Sequence, residues 1–202
     1  MSKSENKAQL TERRQEQILA VAKKIFAKNG FRRTQMEDIA DALQIGKGTL
    51  YNYFDNKKSL FLAVYEQGMT KLCQTIRSIL ASITDPKQRK AVAVKIFFEF
   101  FEQDRELIEI QMQVRSEFKD DYRRMFLALY SDYIVDIQKN LQNGMGTGAF
   151  RQLDIESTSD AMSALTQGVL QNFYIREFGG SGKLTDKIEP VTRMILEGIL
   201  KR

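Results

Sequence analysis

The stretch TQMEDIADALQIGKGTLYNYFDNK, residues 34–57, decides the fold of the N-terminal part of this chain. Its first half predicts a short helix. Thr34 and Glu37 have the T-x-x-E spacing of a capping box, which marks a helix start. Apolar residues then follow at the i, i+3, i+4, i+7 spacing of a single helix face: Met36, Ile39, Ala40 and Leu43.

The second half of the stretch predicts a tight turn and another short helix. Gly46 can adopt positive φ in the turn at little cost. The apolar side chains of Ile45, Leu50 and Phe54 are expected to point back into a small core. Polar and aromatic residues then remain on the outer face: Lys47, Thr49, Tyr51, Asn52 and Tyr53. Two short helices joined in this way form a helix-turn-helix, whose second helix enters the major groove of DNA.

Flanking residues complete a three-helix unit over residues 11–55. A supporting helix is expected from Thr11 to Asn29, because apolar residues line one face and Asn29-Gly30 suits a C-terminal cap. Asn56 is a good N-cap for the helix that follows. Residues 1–10, MSKSENKAQL, are polar and are expected to form a flexible tail.

The segment AKKIFAKNGFRRTQMEDIADALQIGKGTLYNYFDNKKSLF, residues 22–61, resembles the TetR/AcrR (tetracycline-repressor-like) family of bacterial regulators. The resemblance rests on the aromatic Phe31 after Asn-Gly, the Ile39-Ala40 pair, the G-T-L-Y-x-Y-F run of residues 48–54 and the Lys at position 57. It covers about a fifth of the chain. Asn56 departs from the Ser that is frequent in the family, but Asn caps a helix equally well.

DNA contacts are expected at eight positions of the chain. The resemblance assigns seven residues to phosphate or to the major groove: Thr34, Lys47, Gly48, Thr49, Tyr51, Tyr53 and Lys57. Asn52 is added because it lies on the same outer face of the second helix. Physical chemistry agrees for Thr34, because a helix start attracts anions. Two alternatives stay open: Tyr51 or Tyr53 can belong to the core, and Lys57 can be an ordinary solvated charge.

The charge of the chain is concentrated where DNA contact is expected. Residues 1–60 hold 12 Lys and Arg against 7 Asp and Glu, a net charge of +5, whereas residues 61–202 hold 19 of each. A basic patch favours binding to nucleic acid of any sequence and makes that binding sensitive to salt. The excess therefore supports the assignment, although charge alone does not establish it.

Composition and apolar periodicity predict an all-α protein of about nine helices in a reducing cytoplasm. The family resemblance implies a bacterial protein that is associated with the nucleoid when bound to DNA. The 202 residues include two prolines and one cysteine. The sequence has no apolar run of membrane-spanning length and no signal segment. One cysteine cannot form an internal disulfide and suits a reducing compartment.

Residues 56–202 are expected to form a larger helical domain for effector binding and dimerisation. A helix is expected over 56–82, and Asp85-Pro86 should start the next one. Gly144–Gly148 reads as a loop, Phe150–Leu153 as a short extended piece and Gly179–Gly182 as a flexible linker. Further helices are expected over 107–115, 118–143, 155–178 and 187–201, with Pro190 in the first turn of the last.

The family resemblance implies a homodimer built from the last two helices. The first of these carries a stripe of small and apolar residues, and the second an apolar stripe at helical spacing. The candidate interface residues are Ala161, Leu165, Gly168, Val169, Ile188, Val191, Ile195 and Ile199. Alternatively, these stripes belong to the core of the monomer.

An effector pocket is implied among the middle helices, where aromatic and Met residues are frequent. Candidate lining residues are Phe97, Phe101, Gln111, Met112, Arg115, Phe126, Tyr130, Gln167, Asn172 and Phe173, with Tyr174 beside them. An aromatic stripe can also be plain core. If Arg115 points inward, an acidic effector is favoured; if it points outward, a neutral or cationic lipophile fits equally well.

These observations predict a ligand-responsive repressor that binds a pseudo-palindromic operator as a dimer and is released by a small lipophilic or aromatic effector. No cofactor and no metal site are expected. An alternative is a redox-responsive regulator that senses through Cys73. A helical enzyme is a weaker alternative, because the chain has no histidine and no phosphate-binding G-x-x-x-x-G-K-[ST] motif.

Overall fold

The computed structural model describes residues 3–177 and 180–200. This part of the chain contains nine α-helices and no strand, which confirms the all-α prediction. The helices are α1 (Lys3–Asn29), α2 (Met36–Ala42), α3 (Lys47–Tyr51), α4 (Lys57–Leu80), α5 (Pro86–Gln103), α6 (Arg105–Glu117), α7 (Lys119–Gly146), α8 (Ile155–Glu177) and α9 (Ile188–Ile199), with a short 3₁₀ helix at Leu184–Lys187.

Helix α1 begins eight residues earlier than the sequence predicts. The expected tail is helical from Lys3 onward; Met1 and Ser2 lie outside the described residues. The other end agrees with prediction. Gly30 adopts a φ of +80°, and its N–H donates to the Phe26 carbonyl at 2.9 Å, which is the left-handed C-cap that glycine provides at little conformational cost.

The start of α2 corrects the predicted capping box. The N-cap is Gln35, whose backbone N–H donates to Asp38 Oδ2 at 2.7 Å. Thr34 instead donates its hydroxyl to the Gly30 carbonyl at 2.9 Å and is fully buried. The cap therefore lies one residue later than the T-x-x-E spacing suggests, and Thr34 stabilises the connection between α1 and α2.

The turn between α2 and α3 also differs from prediction at one residue. Gly46 has a φ of −66° and serves as the N-cap of α3, whereas Gln44 adopts the left-handed φ of +54°. The Ile45 N–H donates to the Ala40 carbonyl at 3.0 Å, which closes the end of α2. The tight turn is present, but a glutamine makes it.

Side-chain caps start the next two long helices as predicted. Asn56 Oδ1 accepts from the Ser59 N–H at 2.8 Å at the start of α4. Asp85 Oδ2 accepts from the Gln88 N–H at 2.6 Å at the start of α5, and Pro86 occupies the first turn. Both caps satisfy N–H groups that a helix start otherwise leaves without partners.

The glycine-rich segment after position 143 is not a simple loop. Helix α7 continues to Gly146, and Gly144 is a buried helical residue. A Cβ at Gly144 would collide with the Phe150 ring, so this glycine allows the ring to pack directly on the α7 backbone. Phe150 forms an isolated bridge with Leu200 rather than a strand.

The last two helices end close to their predicted bounds. Helix α8 runs to Glu177; Phe178 and Gly179 lie outside the described residues, as does Lys201 at the expected end of the last helix. A 3₁₀ turn replaces the expected start at Lys187, and α9 proper begins at Ile188 with Pro190 in its first turn.

The chain divides into two compact units. The first runs to Gly68 and includes Glu109–Tyr122; the second contains Met69–Ile108 and the chain from Arg123 onward. The division expected at residues 55 and 56 therefore differs from the packing, because the beginning of α4, most of α6 and the first residues of α7 belong to the first unit.

Candidate DNA-binding surface and effector site

The exposed face of α3 is polar and aromatic. Leu50 and Phe54 are buried, while Tyr53 is half-buried. Five of the predicted DNA-contact residues are exposed together on and just after this short helix: Lys47, Gly48, Thr49, Tyr51 and Asn52. The buried residues anchor α3 on the first unit and leave these five facing outward.

Two of these exposed residues interact with each other and with α2. Lys47 forms an ion pair with Glu37, and its ammonium lies 5.7 Å from the centre of the Tyr51 ring. The hydrogen bond with Glu37 raises the pKa of Lys47, and the same bond lowers the pKa of Glu37. The contact is exposed, so solvent screens it and a competing anion can exchange for the carboxylate.

Lys57 joins the start of α4 to the segment before α2. Its ammonium donates to the Thr34 carbonyl at 2.8 Å and to the Arg32 carbonyl at 3.3 Å. It also lies 4.5 Å from the centre of the Phe31 ring. Lys57 therefore orders the backbone that leads into α2, a role that is neither of the two considered from the sequence.

The position of Thr34 changes its expected role. Because the residue is fully buried and its hydroxyl donates to the Gly30 carbonyl, its side chain does not lie on the surface where phosphate would bind. The prediction of a phosphate contact through the Thr34 side chain is corrected accordingly. The threonine contributes to the site by holding α2 in place.

Residues of α6, of α4 and of the connection between α6 and α7 complete the packing around Phe31. The Phe31 ring lies 5.1 Å from that of Phe61 and 4.8 Å from that of Phe118. Gln113 Oε1 accepts from the Phe31 N–H at 2.8 Å, and Gln113 Nε2 donates to the Phe26 carbonyl at 3.3 Å. Sequence reasoning missed these contacts, because residues 30 to 87 positions apart leave no periodic signal.

Two ion pairs lie around this packing. Arg32 pairs with Glu117 at 2.9 Å, and Lys58 pairs with Asp121 at 2.7 Å. Arg32 and Lys58 are largely exposed, so each pair contributes at most about 1 kcal/mol. The first unit is therefore held mainly by its buried apolar core rather than by these ion pairs.

The second unit brings together part of the predicted effector set. Phe97 and Phe101 are buried, with ring centres 5.1 Å apart. The rings of Phe126 and Tyr130 stack at 4.4 Å, and Gln167 Nε2 donates to the Tyr130 hydroxyl. Phe173 is buried, and the Arg105 guanidinium lies 5.4 Å from the centre of its ring; Tyr174 is half-buried.

Other predicted effector residues lie elsewhere. Arg115 and Asn172 are exposed, so neither points into the protein interior. Gln111, Met112 and Arg115 belong to the first compact unit, whereas Phe97, Tyr130 and the rest belong to the second. Helical periodicity predicts that residues share one face of a helix. It does not predict whether that face is buried against other helices or exposed.

A charged residue that the sequence prediction omitted lies at a small cavity in the second unit. Lys90 is 5% exposed and lies on the same face of α5 as Phe97 and Phe101. Helices α4, α5 and α7 surround the cavity, which measures about 20 Å³. Burial lowers the pKa of Lys90 to about 8. The sequence contained a signal for this residue, because Lys90 lies four residues before Val94 and seven before Phe97, on the same helix face.

Of the residues predicted to form the dimer interface, some are buried in the core of the single chain and the others lie at its surface. Val191, Ile195 and Ile199 are buried within the single chain, so this part of the prediction is corrected in favour of monomer core. The opposite face of α9 is exposed and carries Met194 and Gly198. The remaining candidates are exposed or half-exposed: Ala161, Leu165, Gly168, Val169 and Ile188.

The environment of Cys73 does not favour thiol chemistry. Its sulfur is half-buried and donates to the Leu129 carbonyl at 3.6 Å. Burial raises the pKa of this thiol, which reduces the thiolate fraction that oxidation requires. Among the described residues, no cluster of Cys, Asp and Glu could hold a metal ion, and no helix is both long and apolar enough to cross a membrane.

A short helix with an exposed polar face, seated on two supporting helices, is the geometry of a helix-turn-helix, so this is a DNA-binding protein of that class. Residues 18–64 match the family described as "Bacterial regulatory proteins, tetR family". This part of the chain therefore has the DNA-binding domain of TetR-family transcriptional regulators.

Two curated relatives agree with this similarity in sequence, and a solved structure shares the fold. The HTH-type transcriptional activator FasR of Mycolicibacterium smegmatis is 36% identical over 91 residues, which cover 45% of this chain and 42% of that protein. The repressor KstR2 of Rhodococcus jostii is 27% identical over 71% of both chains. The regulator FadR of Bacillus subtilis, solved with stearoyl-CoA, superposes with a TM-score of 0.80 at 19% identity, covering 91% of this chain and 98% of that one.

Proposed function

We propose that this protein is a repressor that binds a pseudo-palindromic operator as a homodimer and is released by a small lipophilic effector. The observation that carries the proposal is the exposed polar face of α3 above the buried Leu50 and Phe54. Repression requires only that the operator be occupied, so it needs no further surface. The protein acts in the bacterial cytoplasm and is associated with the nucleoid when bound.

The proposed DNA contacts follow from exposure and chemistry. Lys47, Thr49 and Asn52 offer groups that hydrogen-bond to base edges or phosphates, and the Tyr51 ring is 39% exposed. Tyr53 is assigned to the flanking phosphates. Lys57 uses two of its three ammonium donors on backbone carbonyls, which leaves the third for a phosphate.

Gly48 supports the close approach of a partner to α3. A Cβ at this position would meet no atom within 4 Å, so the fold itself does not require glycine here. Glycine within a helix normally destabilises it by about 0.5–1 kcal/mol relative to alanine. We assign Gly48 to the place where the DNA backbone comes nearest to the recognition helix.

The homodimer is proposed to form through the exposed faces of α8 and α9. An open groove of these helices is lined by Ala161 and Leu165 on α8 and by Met194 and Gly198 on α9. A Cβ at Gly168 or at Gly198 would meet no atom within 4 Å, which leaves room for a partner helix. A two-fold pair then presents two recognition helices to half-sites about one helical turn of DNA apart.

The effector is proposed to bind in the second unit and to act through α4. This helix begins three residues after the buried Phe54, and its later residues Ile76 and Leu80 line the cavity beside Lys90. A ligand there changes the position of α4 and with it the spacing of the recognition helices in a dimer. The effector must bind the DNA-incompetent state more tightly, and DNA must weaken effector binding by the same factor.

Fluorescence anisotropy tests the DNA-binding part of this proposal. The duplex is the region upstream of the protein's own gene, compared with a scrambled duplex at low and moderate salt. We expect preferential and salt-sensitive binding by two protomers per site, because phosphate contacts release counterions. Weak binding that is equal for both duplexes would contradict operator recognition in this region.

A thermal-shift screen with lipophilic compounds tests the effector part. A compound that binds the native state raises the melting temperature by mass action, and the same compound should then release the labelled operator. A compound that binds tightly but leaves operator affinity unchanged would contradict the proposed coupling.

A further inference from the structure

The cavity beside Lys90 combines apolar walls with a few polar groups. Ile76 and Leu80 of α4, Ala93 of α5 and Ile137 of α7 form the apolar part. The polar and charged groups that line it are Arg89, Lys90, Tyr133, Asp136 and Asn140. Its volume of about 20 Å³ holds one water molecule.

Several of these polar groups are already engaged in fixing the helices. The Arg89 guanidinium donates to the Leu80 and Ile83 carbonyls, the second at 3.3 Å. Asn140 Nδ2 donates to the Pro86 carbonyl at 3.1 Å. These contacts hold the beginning of α5 against the end of α4 and against α7, so the cavity has a defined frame.

Unlike Arg89, which donates to backbone carbonyls, Lys90 is a buried charge without a compensating partner in the described part of the chain. It forms no ion pair and no hydrogen bond with any described residue, and Asp136, which also lines the cavity, does not pair with it. A buried charge is strongly disfavoured unless an opposite charge or hydrogen bonds compensate it. A lysine in this position therefore destabilises the ligand-free protein, and a bound anion would compensate its charge.

The anion that fits is one with a small charged end and an apolar body. From Lys90, the buried face of α5 continues through Val94 to Phe97 and Phe101. On α7, Tyr133 borders the cavity, and the Tyr130 ring follows at 5.7 Å. Both helices thus lead from the ammonium into apolar and aromatic surroundings.

We propose that Lys90 binds the carboxylate of an acidic lipophile, a free fatty or aromatic monocarboxylic acid, whose apolar part extends along α5 and α7 toward Phe97 and Tyr130. This inference rests on the proposed function, since it names the chemical class of the effector. A single buried ammonium suits one carboxylate, which it can meet in a charge-assisted hydrogen bond. The several phosphate groups of a coenzyme A thioester would need more cationic partners than this one ammonium.

Binding of such an acid must also move the surrounding helices. A cavity with room for one water accommodates a carboxylate only if its walls separate, and Ile76 and Leu80 of α4 are two of those walls. The favourable free energy of pairing the carboxylate with Lys90 thus offsets the cost of displacing α4. The same displacement is the one that the proposed function requires.

Calorimetric titration of the full-length protein tests the assignment. The probes are octanoate, dodecanoate, hexadecanoate and phenylacetate, each below its critical micelle concentration and near neutral pH, with the primary amide of each acid as the uncharged comparison. Lys90→Met keeps the side-chain length and removes the charge. Lys95→Met, an exposed lysine on the same helix that pairs with Glu99, is the matched control.

We expect at least one acid to bind the wild type and the Lys95→Met protein about tenfold or more tightly than its amide. Lys90→Met should lose that preference and bind acid and amide alike. Equal acid affinity in Lys90→Met and wild type would overturn the inference, as would binding of none of the four acids by a wild type that retains DNA binding.

Operator anisotropy separates this inference from the proposed function. If an acid binds through Lys90 but leaves operator affinity unchanged, the ligand assignment stands and effector release fails. If a neutral lipophile or a coenzyme A thioester releases the operator equally well from wild type and Lys90→Met, effector release stands and the assignment to Lys90 fails.

Discussion

At the scale of single residues, two positions are proposed to serve binding at some expense to the stability of the fold. Gly48 occupies a helix in open space, where alanine would be more stable. Lys90 holds a charge in a buried position that offers it no partner among the described residues. Neither residue improves the packing of the chain. We therefore explain both by molecules that bind the folded protein, DNA at Gly48 and the effector at Lys90.

Gly48→Ala should therefore separate stability from DNA binding. We expect an unchanged or slightly higher melting temperature, since alanine favours a helix by about 0.5–1 kcal/mol over glycine. Operator affinity should fall by about tenfold or more, because the new methyl group lies where DNA approaches. Calorimetric melting and anisotropy measure the two effects, and Gly146→Ala, at another exposed and open helix position, should keep full DNA affinity.

Lys90→Met should stabilise the protein in a pH-dependent way. Burial lowers the pKa of Lys90 from 10.5 to about 8, so between these values the unfolded state binds more protons and wild-type stability rises with pH. Below about 8 the full penalty applies, and the variant should be more stable by up to about 3 kcal/mol.

Urea unfolding of both proteins across this range measures the difference, which cancels the titration of other groups. The advantage of Lys90→Met should shrink as the pH rises toward 10.5. The same comparison for the exposed Lys95→Met should be flat. A constant offset between Lys90→Met and wild type would mean that Lys90 is not buried as a charge.

At the scale of helices, local chemistry explains most boundaries, whereas glycine has more than one role. Gly30 ends α1 through its positive φ, but Gly46 does not need one and Gly144 lies inside α7. The sequence shows a glycine in each case. The structure distinguishes these roles by the backbone φ at each glycine and by the atoms that a Cβ would contact there.

Gly144→Ala should destabilise the end of α7. Its Cβ would collide with the ring of Phe150, which is itself buried, and such overpacking costs about 1–3 kcal/mol. Chemical unfolding measures the change. Gly146→Ala, two residues later in the same helix, has open space around its Cβ and should be neutral or slightly stabilising; equal losses for both variants would contradict the packing role.

Interactions between residues close in sequence could be predicted, whereas those that depend on the tertiary structure could not. The capping residues Asn56 and Asp85 act within four residues, so their pattern predicts them. The stripe of Val191, Ile195 and Ile199 was correctly read as apolar, yet a periodic pattern cannot say whether the same chain or a second copy covers it. Lys90 interrupts the apolar face of α5, and only the structure shows that its charged side chain is buried there.

At the scale of the whole molecule, the proposed dimer depends on the surface that α8 and α9 leave uncovered. Met194 is 61% exposed on the outer face of α9, and Leu127 on α7 is 60% exposed. The two residues are therefore matched in exposure and in apolar character. Only Met194 lies in the groove assigned to the partner subunit.

Met194→Glu should give a monomer with weak operator binding, because a carboxylate buried in a dimer interface lacks a partner. Leu127→Glu should remain a dimer and bind DNA as the wild type does. Sedimentation equilibrium gives the masses. A dimeric Met194→Glu, or loss of the dimer in both variants, would place the interface elsewhere.

The hydrogen bonds of Gln113 to Phe26 and Phe31 have a consequence for how the protein is made. During synthesis, the segments before Gly68 emerge first, but the ring of Phe118 and the amide of Gln113 that complete their packing emerge much later. The nascent chain therefore holds a basic helical segment with Phe31 and Phe61 incompletely covered until more than half of its 202 residues have left the ribosome. A DNA-reading module transplanted from this protein must accordingly carry two pieces of sequence, since the first alone lacks the side chains that close its core.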